Sequence, residues 1–67
     1  MIHVTLNGQP ERLAAPTTVA AFLEARMLAG KRLAVERNGE IVPKSRHRET
    51  PIEDGDRVEI VIAVGGG

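Results

Sequence analysis

Arg57-Val58-Glu59-Ile60-Val61-Ile62-Ala63-Val64 is the stretch on which the architecture turns. Val58, Ile60, Ile62 and Val64 share one face; Arg57, Glu59, Val61 and Ala63 share the other. This period of two is the signature of a β-strand with one face in a core. Its β-branched residues fit a pleated surface. The strand follows the turn signal Glu53-Asp54-Gly55-Asp56 and runs straight into Gly65-Gly66-Gly67.

Working outward, Ile2, Val4 and Leu6 alternate with His3 and Thr5, a second half-buried strand. Asn7-Gly8 then signals a hairpin, because both residues tolerate positive φ. The return strand covers Gln9 to Leu13, with Pro10 tolerable only at its start or on an edge. Thr17 or Thr18 supplies a hydroxyl to cap a helix. Val19, Phe22, Leu23 and Met27 recur at helical spacing, and Gly30 suits the residue that ends a helix. The spacing predicts a helix over 18–29. Leu33 and Val35 mark another strand, Asn38-Gly39 a second hairpin, and Glu40-Ile41-Val42 a short strand stopped by Pro43. Lys44 to Thr50 reads as an exposed loop or a single helical turn, after which Pro51 and Ile52 rejoin the core.

The order is β-β-α-β-β-β. It predicts an α+β fold: a mixed sheet of about five strands with one main helix on one face, the β-grasp or ubiquitin-like arrangement. The first and last strands are predicted to be parallel neighbours. Residues 1–64 form one domain, and 65–67 a flexible glycine tail.

Size and composition narrow the function. At 67 residues the core only just outweighs the entropy of ordering the chain. Cysteine is absent, which excludes disulfides, zinc-thiolate sites, a cysteine nucleophile and a cysteine persulfide. Lys plus Arg and Asp plus Glu are nine each, and the only aromatic is one Phe. That argues against nucleic acid, which needs a basic excess and stacking platforms. No signal peptide and no membrane-length apolar run is evident, so a cytoplasmic protein is expected. A chain this small has little room for a catalytic cleft. A carrier, modifier or binding module is expected rather than an enzyme.

The chemistry points to the glycine tail. Without Cβ atoms it can thread through a narrow channel in a partner. A glycine carboxylate is uncrowded at its carbonyl carbon and ionised at neutral pH. It is a competent nucleophile toward activated phosphorus but a poor acyl donor, a deficiency that an acyl-adenylate removes. Sulfide or a persulfide could then leave a thiocarboxylate; a lysine could leave an isopeptide. A truncated linker would also end in glycines. Val61 and Ala63, on the face away from the helix, are either a partner surface or buried at the sheet centre. His3 and His47 are read as solvent-facing. Glu53, Asp54 and Asp56 lack calcium-loop spacing and a closing Glu, so they read as solvated turn carboxylates. Lys44, Arg46, His47 and Arg48 read as a solvated basic loop; contact with an acidic partner is the alternative.

Several stretches together resemble the thiamine-biosynthesis sulfur carrier proteins (ThiS) over essentially the whole chain. They are Ile2–Leu6 with Asn7-Gly8, Thr18-Val19 with Phe22-Leu23, Ala34-Val35-Glu36-Arg37-Asn38-Gly39 with Ile41-Val42-Pro43, Asp54-Gly55-Asp56, and Glu59-Ile60-Val61 through Val64-Gly65-Gly66-Gly67. That family ends in a Gly-Gly pair, which maps onto Gly66 and Gly67; Gly65 is additional. The resemblance implies that Gly67 is adenylated by a ThiF-type adenylyltransferase using ATP. It implies that a sulfur donor, a cysteine desulfurase or equivalent, converts Gly67 to the thiocarboxylate. Thiazole synthase would then take the sulfur. Gly65, Gly66, Val64, Ala63 and Val61 would meet the partners, and the chain itself would bind no cofactor or metal. The alternatives are a ubiquitin-like modifier, a sulfur carrier for molybdopterin or tRNA thiolation, and a non-covalent β-grasp binding module.

Overall fold

In the computed structural model, which describes residues 1–63, the elements run β1 (Ile2–Leu6), β2 (Gln9–Leu13), β3 (Thr17–Thr18), α1 (Val19–Ala25), β4 (Leu33–Arg37), β5 (Glu40–Val42), a 3₁₀ turn (Lys44–Arg46), β6 (Pro51–Ile52) and β7 (Arg57–Ile62). Five strands form one sheet in the order β2-β1-β7-β4-β5. β7 is its centre. It lies parallel to β1, with Thr5 opposite Arg57 and Leu6 opposite Val58. It lies antiparallel to β4, from Leu33 opposite Ile62 to Arg37 opposite Val58. The mixed sheet with one helix is therefore as expected. The short pair β3-β6, which the sequence pattern did not show, ties the entry of α1 to the loop before β7.

Both hairpins turn through left-handed residues, Asn7 and Gly8 in one, Asn38 and Gly39 in the other. These are the two central positions of a type I′ turn, whose twist matches that of the flanking strands. Pro10 sits in β2, an edge strand, where its missing N–H removes no ladder bond. The core joins Ile2 and Val4 of β1, Val19, Phe22 and Leu23 of α1, Val35 of β4, Val42 of β5, Ile52 of β6, and Val58 and Ile60 of β7. Each such side chain contributes roughly 1.5–3 kcal/mol when fully buried. In a chain this short that burial is most of the favourable side of folding.

The helix is shorter than 18–29. Thr18 caps it, its hydroxyl accepting from the Ala21 N–H at 3.1 Å. It ends at Ala25. The Met27 N–H donates to the Glu24 carbonyl and the Leu28 N–H to the Leu23 carbonyl, while Met27 takes φ +59°. These two bonds around a left-handed residue form a Schellman end. Met27 is thus 83 % exposed rather than a core position, and Leu28 packs against the core in its place. Gly30, also at positive φ, belongs to the loop beyond.

Candidate functional site

β7 carries the chain toward the glycines, so its setting defines what a partner would meet. The sheet register puts Val61 opposite Ala34 on the outer face, and Ile41 opposite Glu36 on the same face. Val61 is 67 % exposed and Ile41 65 % exposed. Exposure on this scale decides between the two readings of Val61: it is surface, not sheet-centre burial. Glu36 and Glu59 face one another across β4 and β7, giving the patch an acidic flank. Ala63 is exposed, and its N–H donates to the Arg32 carbonyl at 2.9 Å, extending the ladder one residue past β7. Val64, Gly65, Gly66 and Gly67 lie outside the described residues.

Two polar clusters brace β7, and neither was visible in the sequence pattern. β1 stops at Leu6, opposite Val58, so β7 has no strand neighbour on that side from Glu59 onward. Asn7 takes the strand's place there. Its side-chain oxygen accepts from the Ile60 N–H at 2.7 Å, and its side-chain amide donates to the Ile60 carbonyl at 3.2 Å. Beyond this clamp, Asn7, Gly8 and residues 59–62 line a shallow open groove of about 580 Å³.

The second cluster is centred on Asp56, which is only 7 % exposed. Its carboxylate accepts from Arg37 Nε at 2.7 Å, from the Glu53 N–H at 2.8 Å and from the Asn38 amide at 3.1 Å. The Asn38 oxygen in turn accepts from the Arg57 N–H at 2.8 Å. Burial pushes the Asp56 carboxyl up, but the bonds from Arg37, Glu53 and Asn38 and the Arg37 charge outweigh it and hold it below its usual value. The reading of three solvated turn carboxylates is therefore corrected for Asp56, whose oxygens are engaged by protein donors. Asp54 stays exposed and accepts from the His3 N–H at 2.7 Å.

His3 is exposed as expected. His47 is not fully solvent-facing. It is half-buried, with Nε2 3.1 Å from the Val42 carbonyl. Since a carbonyl only accepts, that nitrogen carries the proton. Elsewhere Glu11 on β2 pairs with Arg26 at the helix end, and the Arg26 guanidinium sits 4.8 Å from the Phe22 ring centroid. The hydrogen bond from Arg26 holds the Glu11 carboxyl below its usual value.

The central strand of a small helix-backed mixed sheet thus runs, in sequence, toward three glycines, with Val61 and Ile41 exposed on its outer face. The model of the ThiS family matches residues 4–67. The chain belongs to the ThiS family.

Among ThiS relatives, the chain is 41 % identical over 63 residues to the sulfur carrier protein ThiS of Bacillus subtilis, covering 92 % of this chain and 96 % of that one. It is 42 % identical over 66 residues to the thiazole synthase of Paramagnetospirillum magneticum, covering 98 % of this chain and 20 % of that protein. The chain thus spans a fifth of the synthase's length. The crystal structure of a thiamine biosynthesis protein (ThiS) from Geobacter metallireducens superposes with a TM-score of 0.84 at 32 % identity, covering 98 % of this chain and 100 % of that one. No helix among the described residues is long and apolar enough to cross a membrane.

Proposed function

We propose that this chain is a sulfur carrier for thiazole formation in thiamine biosynthesis, acting as a consumed and regenerated co-substrate rather than an enzyme. The observation that carries the reading is the ThiS family match, which runs to Gly67. Bacillus subtilis ThiS, a sulfur carrier by name, supports it.

In this reading the Gly67 carboxylate attacks the α-phosphorus of ATP held by a ThiF-type adenylyltransferase, and pyrophosphate leaves. The product is an acyl-adenylate. A hydrosulfide equivalent from the sulfur donor then attacks the carbonyl carbon, the C–O bond to AMP breaks, and the thiocarboxylate remains. The chain's own part is positional. β7, held on one side by β4 and on the other by β1 and Asn7, presents the glycine end from a fixed strand. Val61 and Ile41 offer an apolar surface beside it for the partner. Thiazole synthase is the proposed acceptor. The thiazole synthases of Paramagnetospirillum magneticum and Magnetococcus marinus each contain a segment similar to this chain. Joining in one protein supports a direct working relation between the two.

Intact mass after incubation with ATP, a sulfur donor and a ThiF-type adenylyltransferase tests this. A gain equal to exchanging one oxygen for sulfur, lost when Gly67 is removed, is the expected result. Lysine-linked conjugates of higher mass would reassign the chain to protein modification. An unmodified Gly67, with function surviving deletion of Gly66 and Gly67, would reassign it to a non-covalent binding module.

A further inference from the structure

A second concave surface lies away from the outer face of the sheet, between the C-terminal end of α1 and the segment 44–48. Its volume is about 240 Å³. Leu23, Leu28 and Leu33 contribute apolar walls, and Leu28 is there because the Schellman end turns it back onto the core. His47 forms one side, its ring held by the Nε2–H to the Val42 carbonyl. Lys31, Lys44 and Arg48 stand exposed around the rim, and Glu24 is the one acid among the lining residues. Among the described residues none of these three cations has an ion-pair partner, as is also true of Arg12, Arg32, Arg46 and Arg57; only Arg26 and Arg37 are paired there. In a chain of zero net charge, the lining of this one apolar depression thus holds three cations against one acid.

We propose that this groove docks an acidic segment of a partner protein that carries one or two aliphatic side chains. The volume falls below the ~300–1,000 Å³ typical of sites that engulf a whole small molecule. It suits side chains inserted from a peptide that itself stays at the surface. The apolar floor takes those side chains, and the cationic rim selects acidic neighbours and rejects basic ones. Stacking on nucleic acid bases does not fit, because the one aromatic, Phe22, is buried. A flat bilayer does not fit a concave floor. The inference stands apart from the sulfur chemistry, since it uses no residue of β7 or the glycine tail. Its consequence for a carrier is a second handle, open while the outer face and the glycines are engaged.

The test is ¹⁵N–¹H NMR titration of the full chain with three short peptides: aspartate-rich with two leucines, lysine-rich with two leucines, and aspartate-rich with alanines. The first should give saturable shifts centred on Leu28, Gly30, Lys31, His47 and Arg48. The other two should bind at least roughly tenfold more weakly. Raising salt from about 0.05 to 0.5 M should weaken the first as well. The double variant K31E/R48E changes only exposed side chains, so its spectrum should stay dispersed. It should lose the acidic peptide at least tenfold and gain the basic one. Absence of saturation, equal binding of acidic and basic peptides, or shifts confined to Val61 and Ile41 would overturn the proposal. So would a stronger response of the same residues to anionic vesicles or to an oligonucleotide.

Discussion

Met27 ends α1 in a conformation that glycine adopts at no steric cost. Its Cβ meets the following carbonyl in the left-handed region, at a cost of roughly 1–2 kcal/mol. Its side chain is 83 % exposed, so burial returns little. Met27→Gly should raise stability by about 0.5–1 kcal/mol, the strain relieved being partly offset by the greater freedom of the unfolded chain. A shift of the urea midpoint upward with unchanged slope is the result expected; no shift would place the strain elsewhere. Asn7 is the opposite case, a left-handed residue whose side chain matters as much as its φ. Asn7→Gly keeps the turn and removes both bonds to Ile60. The expected loss is about 1–3 kcal/mol, with faster amide exchange at Ile60. Both hairpins were legible from Asn7-Gly8 and Asn38-Gly39, because that signal is a local backbone preference. The clamp was not legible, since Asn7 and Ile60 are 53 residues apart and nothing local marks the pairing.

At the scale of elements, the same contrast explains what else the pattern missed. Met27 lies four residues after Leu23, so the spacing alone extends the helix. The end is decided instead by Leu28 reaching the core, a tertiary contact. The loop 53–56 read as solvated because acidic residues beside a glycine usually are. Its folding onto Arg37 and Asn38 depends on β4 lying next to β7. This loop connects β6 to β7, and Asp56 bonds it to Arg37 and Asn38 of the second hairpin, so its protonation should be felt across the sheet. The sign follows from the lowered pKa of Asp56 in the folded chain. Below the unfolded value, about 3.9, the unfolded chain takes up the proton first. The stabilisation is therefore fully present above that pH and is lost as pH falls through the lower folded value. Glu11 shifts in the same direction. Asp56→Asn should cost about 1–2 kcal/mol at pH 7 and flatten the acid limb of stability against pH. Urea midpoints between about pH 6 and pH 2 measure both. An acid limb as steep in the variant as in the wild type would assign the dependence to other carboxylates.

At the scale of the molecule, the strand order β2-β1-β7-β4-β5 makes the last strand the middle one. The strand that leads to the glycines is therefore held from both sides as far as Ile60, by β4 on one side and by β1 and Asn7 on the other, and by β4 and Arg32 alone from Val61 to Ala63. The parallel pairing of β1 with β7 was legible, because an apolar alternation at each end of the chain implies two central neighbours; the place of β4 on the other side of β7 was not, because it is a tertiary pairing. The exposure of Val61 was not, because centre and surface leave the same alternation on the outer face of a strand. Substitution at Val61 tests the proposed partner recognition separately from folding. At 67 % exposed it adds little to the core, whereas a carboxylate there would be desolvated by any partner covering the patch, beside Glu59 and Glu36 already present. Val61→Asp should leave the domain folded, at a cost near 1 kcal/mol from lost strand preference. It should slow adenylation by the ThiF-type enzyme by at least roughly tenfold, an effect of about 1.4 kcal/mol on association. Pyrophosphate release at limiting carrier concentration reads the rate, and circular dichroism reads the fold. Ile41→Asp should act in the same direction if the whole outer face is covered. A normal rate in the Val61 variant would confine recognition to the glycine tail and leave the apolar patch without a role in that step.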